Sequence, residues 1–576
     1  MRKESNSKPS ACRSRPCRLL ACFVWLLFIA IVCTLCGGAL FFAVRASEQC
    51  QWPAEWDTLR DMGMAQTLLD GNYPSDPILS GETLWYNPLT GVMIAATSRI
   101  LHLSLSETSI TIGPYVNLIA PAALVVLLTV FFGRAAALAG LCVMLFAKDP
   151  QTPFWVNACY SPWLLAPLYS LGLFFLTLIA YREGIKRSSL LWCGIAGILL
   201  GITFMAHTAP ALIIGGIVVL TTLLETGMRW HEKRSNSAVA AASRLPVRLL
   251  FFHVGLLLFL AFLISLPYTW SILRRYQFKV ENPFPSLFAA DYVRLNALPD
   301  RIYESLNWKN LLALAGIGVL LRRFRQDETA RLVICWLVVA LAFLGHHYLW
   351  QYLLSKNIVL TAFVPAHHAA IHLSAVRAVL FAVGIVFLGR VVAKPVHLAC
   401  GTHLSTSWQR RLQQAIILVV VALTGSILYR THPITTRADF LVPDRALYHE
   451  FHEQGIPMYN WILEHTTPEA VFLCEEESVG MTVVMPAGRK LVSPMLLYSN
   501  PYVPFAPLFE AKKNLLSAIE NTEREVFCQH AEDYPVLYLL VKMGKSQENS
   551  KKYEAFFEKL HEAGNLVVWR ARKCDI

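Results

Sequence analysis

The sequence predicts a polytopic α-helical membrane protein of about eleven transmembrane helices carrying a small α/β domain at its C-terminal end. Three observations predict it. Charged residues make up only 16% of the 576 residues and apolar ones 55%, whereas an ordinary soluble domain carries about 25% charged residues. Apolar residues fall in runs that approach or exceed the length of a membrane-crossing helix, about 20 residues. From about residue 440 onward the composition changes to mixed charged and apolar.

The N-terminal stretch 1–18 is basic (Arg2, Lys3, Lys8, Arg13, Arg15, Arg18) and leads into an apolar run over about 19–44. A signal peptide begins this way, but its apolar region is shorter, about 7–15 residues. The run is therefore assigned as the first transmembrane helix, with a cytoplasmic N-terminus. Further spans are expected at 110–132, 134–147, 160–181, 189–206, 209–226, 249–270, 309–321, 331–350, 373–393 and 412–429. Basic clusters test the alternation. Arg134, Arg182/Lys186/Arg187, Arg229/Lys233/Arg234/Arg244/Arg248, Arg322/Arg323/Arg325/Arg331 and Arg390/Lys394/Arg410/Arg411 all fall on the cytoplasmic side of this layout. An odd count of spans then puts the tail outside. The runs at 134–147 and 309–321 are short enough for a re-entrant segment to compete.

The layout implies a transmembrane region over 19–430 with external loops at 46–109 and 271–308, and an extracytoplasmic α/β domain over 440–576. In that domain Met458–His465 and Tyr553–Ala563 read as helices, and Ala470–Cys474, Val536–Val541 and Leu566–Arg570 as strands. Of 14 cysteines, Cys50, Cys474, Cys528 and Cys574 fall outside the membrane, where disulfides form. Their pairing is not readable from sequence.

The net charge of +12 does not mark a nucleic-acid binder, because Lys and Arg sit in short segments between apolar runs. A transporter places ionisable groups mid-helix along its substrate path. Here the span interiors are nearly free of carboxylates, and acidic residues gather in the first external loop as Glu55, Asp57, Asp61, Asp70, Asp76 and Glu82. Asp149 follows the short third span. Polar chemistry is thus expected at the outer membrane surface.

The first loop carries the most information. The segment from Asp57 to Leu69 predicts a short amphipathic helix lying on the membrane and closed by Gly71. Asp57, Arg60 and Asp61, three and four residues apart, would share one of its faces. Taken in order, Asp57, Arg60, Ala65, Leu69, Gly71, Gly81, Tyr86, Pro88 and Leu89 resemble the first external loop of the GT-C superfamily, membrane glycosyltransferases that use lipid-phosphate-linked sugars. The closest likeness is to the branch holding lipid A aminoarabinose transferases and protein O-mannosyltransferase-like enzymes. The residue-level match covers about 35 residues and one aspartate, while the layout covers the whole chain. Where the family pattern has an Asp-Glu pair, this chain has Asp57-Thr58, with Glu55 as the acidic neighbour and Asp61 as the substitute.

The resemblance implies a GT-C-like fold and transfer of a sugar from a polyprenyl phosphate to a lipid, glycan or protein acceptor at the outer face; the general style of the sequence, with no obvious organelle signal, suggests a bacterial inner membrane. A hydroxyl acceptor must lose its proton as the new bond forms. Asp57 is the expected base, with Asp149 or Asp61 supporting or replacing it, and a divalent cation at the acidic site is left open. The leaving lipid phosphate needs cations, for which Arg60, Arg274, Arg275, Lys279, Lys356 and Arg377 are the candidates. Arg377 stands out because it falls inside a span.

Each choice has a plainer counterpart. External carboxylates are ordinarily solvated surface, Lys148-Asp149-Pro150 fits a span-ending turn, and Arg274, Arg275 and Lys279 fit headgroup contact. Trp52, Trp56, Trp85 and Trp163 read as an aromatic belt. His207, His346, His347, His367, His368 and His372 read as interfacial residues; His368 and His372 have the i, i+4 spacing of metal ligands without the glutamate of the HExxH motif. Two other function classes compete with the enzyme. A carrier or flippase would show paired broken-helix halves, and the sequence has no internal repeat. A non-catalytic envelope scaffold leaves the patterned loop unexplained.

Overall fold

The computed structural model describes residues 15–48, 50–53, 55–147, 160–234, 246–283, 285, 293–358, 366–400, 406–431, 445–543 and 550–574. Each of the eleven apolar runs is helical. They form α1 (Arg15–Ser47), the stack α4 (Leu105–Thr111), α5 (Gly113–Asn117) and α6 (Ile119–Phe132), then α7 (Arg134–Phe146), α8 (Ala166–Arg187), α9 (Leu190–Ala206) and α10 (Thr208–Arg234). After these come α11 (Val247–Tyr276), α13 (Trp308–Arg323), α14 (Glu328–Leu354), α15 (Ala366–Cys400) and α16 (Thr406–Thr431), with a short α12 (Leu298–Glu304) before α13. Among the described residues eight helices are long and apolar enough to cross a membrane, Leu105–Phe132 counting as one. The protein is thus a multi-pass membrane protein. The other three runs, α7, α9 and α13, are 13, 17 and 16 residues long.

Two charged clusters tie the helices together where the basic segments were expected. Glu225 of α10 is buried against Arg331 of α14 at 2.5 Å and lies near Arg229. Arg182 of α8 donates to Thr329 at the start of α14. Burying such charges is tolerable only when they are paired.

The first loop is not a membrane-surface strap. Its helix α2 (Trp56–Leu69) ends at Gly71, whose φ is +75°, much as expected. Yet Thr58 through Ala65 are all buried, because α2 is wedged between a second loop helix, α3 (Leu89–Leu101), and residues 480–487 of the C-terminal unit. The α3 helix was not expected.

That unit opens with α17 (Arg445–His465) and holds a five-stranded sheet. Its strands are β1 (Val471–Cys474), β2 (Lys490–Leu491), β3 (Leu537–Lys542), β4 (Phe557–Ala563) and β5 (Leu566–Ala571), in the order β2-β1-β3-β5-β4. The first three run parallel, and β5 and β4 complete the sheet antiparallel. Successive side chains of a strand point to opposite faces, and the sheet divides its core accordingly. Phe472, Cys474, Tyr538, Leu540 and Val568 pack with Leu59, Met62 and Ala65 of α2. Val471, Leu473, Leu537, Leu539 and Val541 pack with α18 (Phe505–Glu520) and α19 (Arg524–Ala531).

The expectation of a helix over Tyr553–Ala563 is corrected. Helix stops at Glu554, and Phe557–Ala563 is the edge strand of a hairpin with β5, turned at Gly564 (φ +61°) and Asn565. Its outward positions, Glu558, Lys559 and Glu562, are good helix formers, which hid the hairpin; charged residues are also what keeps an edge strand from pairing with another chain. Cys528 and Cys574 form a disulfide, while Cys50 and Cys474 are buried. Trp52 and Trp163 are core residues, 1% and 0% exposed, so the aromatic belt expected there is also corrected. Trp52 stacks edge-on against Tyr459 of α17.

Candidate active site

The site is built around the first turns of α2. The spacing of three and four residues puts Asp57, Arg60 and Asp61 together. The Arg60 guanidinium donates through Nε and Nη2 to Asp61 Oδ1 at 3.0 and 2.8 Å, and through Nη1 to Asp57 Oδ1 at 2.9 Å. Its planar face lies on the Tyr86 ring, 3.4 Å from the centroid, a cation–π contact that also fixes the fork's orientation. Tyr498, from the C-terminal unit, faces Arg60 from farther away, 5.9 Å from the guanidinium to the ring centroid.

Burial separates the two aspartates. Asp61 and Arg60 have side chains 1% and 6% exposed, whereas Asp57 keeps 34%. Asp61 Oδ2 is buried with no hydrogen-bond partner among the described residues. Burial pushes the Asp61 carboxyl up, to about 7, against the pull of Arg60. Glu55, just before the helix, is also raised to about 7, by burial and then by the Asp57 charge. Asp57 is the more exposed of the two carboxylates, and Asp61 is the buried partner of Arg60.

Further along the loop, Asp76 and Glu82 do structural duty. Asp76 Oδ1 accepts from the backbone N–H groups of Ile78 and Leu79 at 2.8 and 3.1 Å, and the buried Lys490 ammonium donates to the Asp76 carbonyl. Glu82 accepts from Tyr276 at 3.0 Å and pairs with Arg275 at 3.2 Å, both at the end of α11. Asp70 pairs with Arg489 at 2.9 Å.

The cations expected to meet a phosphate are distributed differently. Arg60 is committed to the two aspartates. Arg275 is engaged with Glu82, Lys279 with Glu281, and Arg274 and Lys356 are exposed. Arg377 is half-buried within α15. Asp149 lies outside the described residues. No group of three side chains able to hold a metal ion is found among the described residues, and Asp61 spends one oxygen on Arg60.

Sequence reasoning passed over two contributors. Tyr498 stands more than 400 residues from Asp57 and nothing in its local sequence marks it. Four imidazoles also gather here. His207, between α9 and α10, and His368 of α15 have ring centroids 4.3 Å apart, and His367 and His368 are 4.0 Å apart. His372, one turn on, lies on Phe174 at 4.6 Å. His207 is within electrostatic reach of Arg60, and His367 of Asp57. The sequence places these histidines together at outer span ends but does not show that they meet beside α2.

A separate cavity of about 870 Å³ opens beside α2 between the end of α1, α4 and α17. Ser47, Ser106, Gln51 and Asn460 are among the polar groups lining it, with Glu48 and Glu107 but, among the described residues, no Lys or Arg.

No protein-family model matches the chain, and no characterised protein matches it in sequence. Among solved structures it is similar to ArnT from Cupriavidus metallidurans bound to undecaprenyl phosphate, with 12% identity, a TM-score of 0.49, and 95% of this chain and 97% of that chain covered. It is also similar to the oligosaccharyltransferase of Archaeoglobus fulgidus in its apo form, with 13% identity, a TM-score of 0.49, and coverage of 88% and 69%.

Proposed function

We propose that the protein is a membrane glycosyltransferase that moves a sugar from a polyprenyl-phosphate donor to a hydroxyl acceptor, with Asp57 as general base. The observation that carries this reading is the contrast within one helix turn between a partly exposed Asp57 and a buried Arg60–Asp61 pair. It agrees with the patterned first loop that resembles the GT-C superfamily. In this reading the active site, the first loop and the C-terminal unit face the outer side of the membrane.

The chemistry follows from the arrangement. The acceptor oxygen attacks the anomeric carbon, its proton passes to the Asp57 carboxylate, and the bond from that carbon to the phosphate oxygen breaks with its electron pair staying on the phosphate. Arg60 fixes Asp57 so that little reorganisation is needed as the bond forms. Asp61 and Tyr86 in turn hold Arg60. The partners are thus a lipid-linked sugar and an acceptor that reaches Asp57 from the exposed side.

The test is transfer of label from a panel of polyprenyl-phosphate sugars in membranes, comparing wild type with Asp57→Asn. Loss of about a hundredfold or more, with expression and thermal stability unchanged, is expected for removal of a general base. Equal transfer by both proteins would take Asp57 out of the reaction. Absence of transfer from every donor, with lipid-linked substrate carried across vesicle bilayers instead, would favour a carrier.

A further inference from the structure

The imidazoles of His207, His367 and His368 form a compact group, joined to the Asp57–Arg60–Asp61 cluster by Asn87, the neighbour of the Tyr86 that covers Arg60, whose amide donates to Thr208 next to His207 at 3.1 Å. We propose that this group is a phosphate-recognition site, whose N–H donors take the phosphate of the lipid-linked donor. The inference rests on the glycosyltransferase reading and adds to it the residues that receive the leaving group.

Three observations carry it. First, the guanidinium next to Asp57 is occupied: Arg60 gives its three hydrogen bonds to Asp57 and Asp61. Arg275 at the end of α11 is paired with Glu82 and Lys279 just beyond it with Glu281, while Arg274 and Lys356 are exposed. The imidazoles of His207 and His368 each offer at least one N–H. Second, one of these donors is already oriented. His207 Nδ1 accepts the backbone N–H of Ala209 at 3.2 Å, so the ring proton of the neutral imidazole sits on Nε2. Third, His367 and His368 keep part of their surface open while His207 and His372 are buried, so a ligand can approach the group from one side. His372 Nδ1 is buried without a hydrogen-bond partner among the described residues. A buried polar atom left unpaired is unfavourable, and a requirement for ring packing alone would be met better by phenylalanine.

In the transfer step, the charge that develops on the departing phosphate oxygen would meet N–H dipoles already fixed in place. The acceptor proton leaves through Asp57, and no proton has to come from the imidazoles.

The test uses the full-length protein in lipid nanodiscs and three probes: a polyprenyl phosphate, the same polyprenol lacking phosphate, and inorganic phosphate. Two variants separate recognition from packing. His368→Phe keeps a ring and removes the donor; His368→Gln loses the ring and keeps a donor. The expected result is weakening of polyprenyl-phosphate binding by about tenfold or more in His368→Phe, as for loss of a hydrogen bond to a charged group. His368→Gln should stay closer to wild type, and polyprenol binding should not change. Wild-type affinity in His368→Phe, or an equal loss in His368→Gln, would overturn the phosphate role and leave the glycosyltransferase reading standing. His368-dependent binding of inorganic phosphate, with no preference for polyprenyl phosphate over polyprenol, would keep the phosphate site and overturn the lipid-donor reading. Binding of neither phosphate by wild type would overturn both.

Discussion

Arg489 Nη1 lies 2.9 Å from Asp70 Oδ2, an ion pair that joins the end of α2 to the C-terminal unit across 419 residues of sequence. The Arg489 side chain is 3% exposed and also donates to the carbonyls of Ala487 and Thr466 and to the Thr466 hydroxyl. It is thus a buried charge with every partner in place, and the first loop depends on it for one of them.

Breaking a buried pair from one side leaves the other charge uncompensated, at a cost of about 3–5 kcal/mol. Arg489→Ala should therefore lower the thermal midpoint by several degrees and expose the junction between α2 and residues 480–487 to protease. Asp70→Asn keeps a hydrogen-bonding group and should cost less. Thermal unfolding and limited proteolysis in nanodiscs measure both. Wild-type stability of Arg489→Ala would show that the junction is held by its apolar contacts alone.

The raised carboxyls predict a direction for the pH dependence of stability. Glu55 rises from 4.5 to about 7 and Asp61 from 3.8 to about 7, in both cases chiefly through burial. Across that window the folded state binds more protons than the unfolded one, so this contribution is fully present below about pH 4 and is lost as pH climbs through about 7. The thermal midpoint of the wild type should fall between about pH 5 and pH 8. Glu55→Gln, which has no proton to lose, should show a shallower slope. A midpoint that rises over this interval, or an unchanged slope in the variant, would contradict the assignment.

What the sequence made legible follows from how local each signal is. The apolar runs mark α1, α8 and α15 because the membrane demands long uninterrupted apolar helices. The spacing of Asp57, Arg60 and Asp61 gives their pairing because helix periodicity acts over one turn. What lay hidden is what distant segments supply. Tyr498 over Arg60, Arg489 on Asp70 and His207 against His368 each join residues more than 150 positions apart. The burial of α2 was missed for the same reason. Its polar face looked solvated because the Tyr86 ring that covers Arg60 and the sheet that covers Leu59 and Met62 come from elsewhere in the chain.

Gly63 tests whether the docking of α2 on the C-terminal unit is needed for activity. A Cβ built at Gly63 would lie 2.2 Å from the Met485 carbonyl oxygen and 3.2 Å from its carbon, far inside van der Waals contact. Two effects then oppose each other in Gly63→Ala. Helix propensity favours alanine over glycine by about 1 kcal/mol, while the clash pushes α2 off the 480–487 segment, a backbone that cannot step aside as a flexible side chain would. The clash should win. We expect a less stable protein and a fall in transfer about as large as that of Asp57→Asn, because a displacement near 1 Å in a group that must align with a reacting atom costs about a hundredfold. Sugar transfer and the thermal midpoint, measured on the same preparation, decide it. A Gly63→Ala protein that is more stable and fully active would mean that propensity wins, and that Tyr498 and the C-terminal unit can be moved without disturbing Asp57.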